Sequence, residues 1–167
     1  MADASAIEDA SFELRDEPYD SPAAQRLIDD VQAEYVVRYG GPDDSPIEVG
    51  EFAPPQGLFL VGYLDGEPVA TGGLRRHDGP DSSVEIKRMY VVPAARRKGL
   101  SRIILAALED RARAMGANRI VLETGEVQPE AISLYETSGY ERIDGYGFYK
   151  CAPLSISFAK RLDDPSA

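Results

Sequence analysis

From Leu27 the apolar positions Leu27, Val31 and Tyr35 recur every fourth residue, which is the helical period. Ser21 precedes this run as an N-cap, Pro22 takes the first helical position and Gly40-Gly41 ends it, so the pattern predicts a helix between them. Before it, SFELR reads as a short strand. After it, LFLVGYLDGEPVATGGLRRH gives two strands about the turn Asp65-Gly66, a strong hairpin signal. SSVEIKRMYVV is a third, stopped by Pro93, and SRIILAALEDRARAMG is an amphipathic helix with Gly116 as its C′ residue. RIVLET then reads as a buried strand, PEAISLYETSG as a short helix closed by Gly139, and YERID and LSISFAK as strands flanking the loop GYGFYK. The stretch GGPDDSPIEVGEFAPPQG fits no period; it is a functional loop or contains a short helix. The order β-α-loop-β-β-β-α-β-α-β-β implies a mixed sheet with helices on its faces.

Composition narrows the class. A chain of 167 residues buries one core and leaves little for a second; the pattern assigns it to residues 11–162, with tails at 1–10 and 163–167. Eighteen Lys+Arg against 29 Asp+Glu give a net charge of −11 and a pI near 4.5, which argues against nucleic acid as a partner. The start MADASAIEDA has neither the basic nor the apolar region of a secretory signal. GLFLVGYL falls far short of the ~20 residues of a membrane helix. With Cys151 as its single cysteine the chain forms no internal disulfide, and the expectation is a cytoplasmic protein without a membrane partner. Cys151 reads as a small packed residue, and the single His77 as an exposed turn residue.

Against this acidic background, Arg96, Arg97, Lys98 and Arg102 cluster around Gly99 at the mouth of the second long helix. A helix N-terminus presents unpaired N–H groups and the positive end of the helix dipole, a ready phosphate site. Glycine at position 99 permits close approach or a positive φ. The same residues also fit an ordinary strand-to-helix turn with a solvated basic rim. Their spacing matches neither G-x-x-x-x-G-K-[ST] nor G-x-G-x-x-G.

The wider segment RMYVVPAARRKGLSRIILAALE resembles the acyl-CoA-binding signature of the GCN5-related N-acetyltransferase (GNAT) superfamily, R/Q-x-x-G-x-G/A after a strand. Arg96, Gly99 and Ser101 stand at the signature positions. Ser101 departs from the usual Gly or Ala, yet it is small and its hydroxyl can donate to phosphate. LETGEVQPEAISLYETSGY is similar to the second half of the same core, down to its L-Y-x-x-x-G-Y ending. The resemblance spans roughly residues 58–160. It implies the GNAT fold, an α/β (α+β) architecture with a mixed central sheet of about six or seven strands and helices on both faces. In that fold KRMYVV splays from RIVLET, commonly through a β-bulge.

The resemblance further implies acetyl-CoA as co-substrate, no metal, and N-acetyl transfer to a primary amine of a small molecule, peptide or protein in a ternary complex. The alternative is a CoA-binding sensor that keeps the fold without turnover. Arg96, Arg97, Lys98, Gly99, Leu100, Ser101 and Arg102 would receive the pyrophosphate. The backbone of Met89, Tyr90 and Val91 would pair with the pantetheine arm as an added strand, and Gln128 would contact the cofactor. An alkylammonium of pKa about 10.4 must lose its proton to become a nucleophile, and a carboxylate can take it. Two glutamates match catalytic positions of different family members: Glu85 in VEIKRMYV, slightly preferred, and Glu123 in IVLET. Strand alternation sets Glu85 on one face with Lys87, Met89 and Val91. Tyr135 matches the general acid that protonates the departing thiolate. The acceptor is expected between the 40–57 and 145–150 loops, with Asp43, Asp44, Glu48 and Glu51 selecting a cation. A homodimer is the family-based expectation.

Overall fold

The computed structural model describes residues 11–77 and 82–163; the proposed tail at 1–10, and all but Asp163 of the one at 163–167, lie outside them. Seven strands form one sheet: β1 (Phe12–Asp16), β2 (Gly57–Leu64), β3 (Glu67–His77), β4 (Ser83–Val91), β5 (Arg119–Gly125), β6 (Glu141–Ile143) and β7 (Ser155–Arg161). Their spatial order is β1-β2-β3-β4-β5-β7-β6. Neighbours are antiparallel except β4 and β5, which run parallel. The described residues form three α-helices, α1 (Pro22–Tyr39), α2 (Leu100–Ala114) and α3 (Pro129–Thr137).

Local chemistry fixes the ends of these elements. The Ser21 side chain accepts a hydrogen bond from the Ala24 N–H at 3.1 Å, Pro22 opens α1, and Gly40 closes it in the left-handed conformation. Asp65 and Gly66 both take positive φ, the geometry of a type I′ hairpin turn. The long connection does contain a short element, a 3-10 turn at Val49–Phe52. Phe52 is its anchor: it is 2% exposed, stacks on Tyr19 at 4.9 Å and meets Phe59 edge-on.

Each face of the sheet carries its own core. Leu27, Ile28 and Val31 of α1 pack with Phe52, Phe59, Val61 and Tyr90 on one side. Ile104, Leu105 and Leu108 of α2, with Tyr135 of α3, pack against Leu60, Leu74, Val84, Ile86 and Phe158 on the other. Gly72 and Gly73 let both layers come close. A Cβ at Gly72 would sit 2.8 Å from Ile104 and one at Gly73 2.8 Å from Phe52, so at either position the packed side chains would have to shift to admit it.

The site is made where β4 leaves β5. Parallel pairing covers Ser83–Ile86 against Arg119–Leu122 and then stops. Meanwhile β4 bulges against β3: Gly73 opposes Lys87 and Thr71 opposes Tyr90, three steps along β4 against two along β3. Arg88 lies in the extra step with φ of 61°, as a bulge residue does. This corrects the simple alternation along β4. Met89 and Val91 pack with Val84 and Ile86 in the α2 core, not with Glu85 and Lys87.

Candidate active site

The fork between β4 and β5 opens into a cleft of about 540 Å³, walled by α1, β4, the turn before α2, β5 and α3. Its floor is the free edge of β4. The Val92 N–H donates to the Val69 carbonyl on β3 at 2.8 Å, so by strand alternation the Val91 and Met89 N–H groups point toward the open side. Met89, Tyr90 and Val91 all line the cleft. Arg96 is fixed beside them: its Nε donates to the Val91 carbonyl at 2.9 Å, its other nitrogen pairs with Glu34 at 2.8 Å, and its guanidinium lies over the Tyr90 ring.

At the mouth, Arg97 and Gly99 take φ of 65° and 76°, turning the chain sharply into α2. The first bond across the turn runs from the Ile103 N–H to the Gly99 carbonyl. Among the described residues, no backbone or side-chain acceptor meets the N–H groups of residues 97 to 102. Six unbonded N–H donors thus follow one another at the positive end of a helix dipole, a setting that suits a phosphate chain. Arg97, Gly99, Leu100 and Ser101 line the cleft, as does Gln128, whose amide donates to the Tyr39 hydroxyl at 2.7 Å. Lys98 and Arg102 do not line the cleft. Arg102 turns instead to Thr137, at 2.7 Å, at the end of α3.

The two glutamates occupy different environments. Glu85 is 6% exposed and lies outside the cleft lining. Its partner is neither Lys87 nor Arg88 but Arg75, directly opposite on β3, at 2.8 Å, and it accepts a further bond from the Tyr146 hydroxyl at 2.8 Å. Glu123 follows Leu122, the last β5 residue paired with β4, lines the cleft and has no ion-pair partner among the described residues. Burial, reinforced by the nearby Glu85 carboxylate, pushes its carboxyl up to about 7. Tyr135 lines the opposite wall at 5% exposure, and its hydroxyl makes no hydrogen bond among the described residues. Burial, with a smaller contribution from Tyr35, raises its pKa above the ordinary phenol value.

In the acidic loop Asp43 and Glu51 are not the free carboxylates the sequence suggested, whereas Asp44 and Glu48 are exposed and make no ion pair among the described residues. Asp43 binds Lys87 at 2.8 Å and Arg88 at 2.6 Å, and accepts from Ser45 and the Tyr149 hydroxyl. The 40–57 and 145–150 loops are therefore joined at Asp43–Tyr149. Glu51 is held by Arg75 at 2.7 Å. Burial alone would raise the Asp43 carboxyl; the Lys87 ammonium, the bonds from Lys87 and Ser45, and Arg88 outweigh it and hold the group far below its usual range. Two other readings change. His77 closes β3 with its ring 4.9 Å from that of Tyr146, and Cys151 is exposed rather than packed.

A prediction follows from the two cations that share Asp43. Removing its carboxylate by Asp43→Ala strands both, at a cost of about 3–5 kcal/mol at neutral pH. Because the folded-state pKa is depressed, this stabilisation is full above the ordinary aspartate pKa near 4 and is lost as pH falls through the folded value. Denaturant unfolding at pH 7 and in acid checks both parts: the gap between wild type and variant should narrow in acid.

Comparison with known proteins agrees with this geometry. Residues 15–140 match the Acetyltransferase (GNAT) family. An uncharacterized N-acetyltransferase of Escherichia coli, YjgM, is 37% identical over 131 residues, 75% of this chain and 78% of that one. The crystal structure of an acyl-CoA N-acyltransferase from Klebsiella pneumoniae superposes with a TM-score of 0.75 at 28% identity, over 90% of this chain and 97% of that one. A GNAT acetyltransferase from Elizabethkingia anophelis, crystallised with acetyl-CoA bound, shares the fold with a TM-score of 0.66 at 16% identity, over 90% of this chain and 97% of that one. The described helices include none long and apolar enough to cross a membrane. The chain belongs to the GNAT family of acetyltransferases and is an N-acetyltransferase.

Proposed function

We propose that this chain, acting as a single domain over residues 11–162, moves an acetyl group from acetyl-CoA directly to the primary amine of a small molecule in a ternary complex. One observation carries the reading. Glu123, with a carboxyl near neutrality, and Tyr135, a buried phenol with an unengaged hydroxyl, face the same cleft at the fork of β4 and β5.

Acetyl-CoA supplies an acetyl group already activated as a thioester. The N–H groups of residues 97 to 102 and the Arg97 side chain hold its pyrophosphate. The open edge of β4 from Met89 to Val91 takes the pantetheine arm as an added strand. The Val91 N–H is aimed where charge develops on the thioester oxygen, as in an oxyanion hole. Glu123, directly or through a water molecule, removes a proton from the acceptor ammonium. As the new C–N bond forms and the C–S bond breaks, the Tyr135 hydroxyl gives its proton to the departing sulfur and, through water, takes up the second proton that the nitrogen sheds as it becomes an amide; Glu123 releases its proton to solvent after turnover. The burial that weakens Tyr135 as an acid acts equally on a thiolate beside it, so the proton transfer stays matched. Glu85, buried and ion-paired to Arg75, sets the charge around Glu123 without touching the reactants.

Initial rates measured with both substrates varied test this reading. Intersecting double-reciprocal lines are expected for direct transfer. Parallel lines would instead require an acetylated enzyme, and binding of acetyl-CoA without amine-dependent thiol release would mean a sensor without turnover.

A further inference from the structure

The Glu123 carboxyl borders more than the cleft. It also meets the loop after β6, whose residues are absent from the cleft lining. That loop is held in shape at several points. The Tyr146 hydroxyl donates to Glu85 at 2.8 Å, and the Tyr149 hydroxyl donates to Asp43 and accepts from the Asp44 N–H, both at 2.8 Å. Within the loop the Lys150 N–H donates to the Gly147 carbonyl at 3.2 Å. Gly145 lies so near Lys150 that a Cβ there would stand 2.5 Å from the Lys150 carbonyl oxygen. Between the two tyrosine anchors sits Gly147, exposed and with φ of 62°. Beyond its chain neighbours, a Cβ at Gly147 would meet one atom within 4 Å among the described residues, the Oε1 of Glu123 at 3.6 Å. The missing side chain therefore leaves open space directly beside the carboxyl proposed to take the acceptor's proton. An amine within hydrogen-bond reach of that oxygen, about 2.6–3.2 Å away, sets its own carbon close to where a side chain at 147 would stand.

Building on the reading above, we infer that Gly147 determines acceptor specificity: the acceptor is a primary amine borne on a branched carbon, and one substituent of that carbon fills the space beside Glu123 that a side chain at 147 would take. An unbranched amine leaves this space to water. The loop, pinned by Tyr146 on one flank and Tyr149 on the other, does not close over it.

The test uses pairs of isomeric amines with acetyl-CoA: isopropylamine and propylamine, 1-phenylethylamine and 2-phenylethylamine, L-alanine and β-alanine. Each pair is given to the wild type, Gly147→Ala and Gly147→Asn, and the branched-to-unbranched ratio of kcat/KM is taken within each protein. The wild type should prefer the branched isomer in at least one pair. For that pair Gly147→Ala should lower the ratio roughly tenfold or more, the effect of one methyl group in a filled site, and Gly147→Asn should lower it further. That order separates bulk from backbone strain. Asparagine is larger than alanine but adopts the left-handed conformation more readily, so strain alone would make alanine the worse substitution. A general loss of activity cancels in the ratio. A wild-type preference for the unbranched isomer in every pair, a ratio indifferent to both variants, or a deeper fall with alanine than with asparagine would overturn this inference and leave acetyl transfer standing. If no amine of any class is acetylated, both readings fall together.

Discussion

Replacing Glu123 by Gln should lower kcat by roughly 10²- to 10⁴-fold, the contribution of a positioned general base. In the wild type, kcat should rise with pH through about 7, where the Glu123 carboxyl ionises. The variant should lose that limb of the profile. The amide keeps the size of the side chain and removes the titration, so the pH profile separates a base from a residue that only shapes the cleft. Stability should move the other way. The folded-state pKa of Glu123 lies above the ordinary carboxylate value, so its stabilising contribution is complete below about 4.5 and is lost as pH rises through about 7. At pH 8 the wild type holds a half-buried carboxylate near Glu85, and Glu123→Gln relieves it; the variant should melt at a higher temperature than wild type there and not at pH 5. An inactive variant that is also more stable at pH 8 is an outcome that misfolding does not produce.

Tyr135→Phe should cost kcat about a hundredfold or more while leaving the affinity for acetyl-CoA within a factor of about two. The ring packs against Tyr140 and Phe158 at 5.6 and 5.9 Å, and phenylalanine preserves those contacts. The hydroxyl has no hydrogen bond within the described chain, so its removal leaves no partner stranded. Folding should be spared and the loss confined to turnover. An acetyl group esterified to a better leaving thiol than CoA would need the acid less, so with such an acyl donor the penalty should shrink. A small kcat change with CoA itself would reduce Tyr135 to a packing residue.

Much of this architecture is written locally. Ser21, Pro22 and Gly40 mark both ends of α1, Asp65-Gly66 marks the hairpin, and Gly116 and Gly139 mark the chain leaving α2 and α3. Each signal works within a few residues, through a cap or a positive φ, so it needs no knowledge of the fold. The catalytic geometry depends on pairings that sequence spacing does not reveal. Arg75 meets Glu85 because the β3–β4 register sets them opposite each other, and that register carries a bulge whose own residue is Arg88, not a glycine. The same bulge moves Met89 and Val91 to the other face and brings Lys87 and Arg88 together on Asp43, more than forty residues away. The 3-10 turn that seats Phe52 is only four residues long, too short for a period to appear. Composition suggested that the acidic loop was free to attract a cation, because a charge count cannot show which carboxylates are already paired.

Calorimetric titration with acetyl-CoA, performed on wild type and on an Arg97→Glu/Gly99→Asp double variant of confirmed fold, tests the account most directly. A Cβ at position 99 would meet nothing within 4 Å, and aspartate tolerates the left-handed conformation better than most residues, so the variant adds negative charge at the amide cradle without crowding it. The account predicts micromolar-range binding by the wild type that the variant loses. Absence of binding by the wild-type protein, or equal binding by both, would contradict it, for the donors at residues 97 to 102 would then not be the seat of the cofactor.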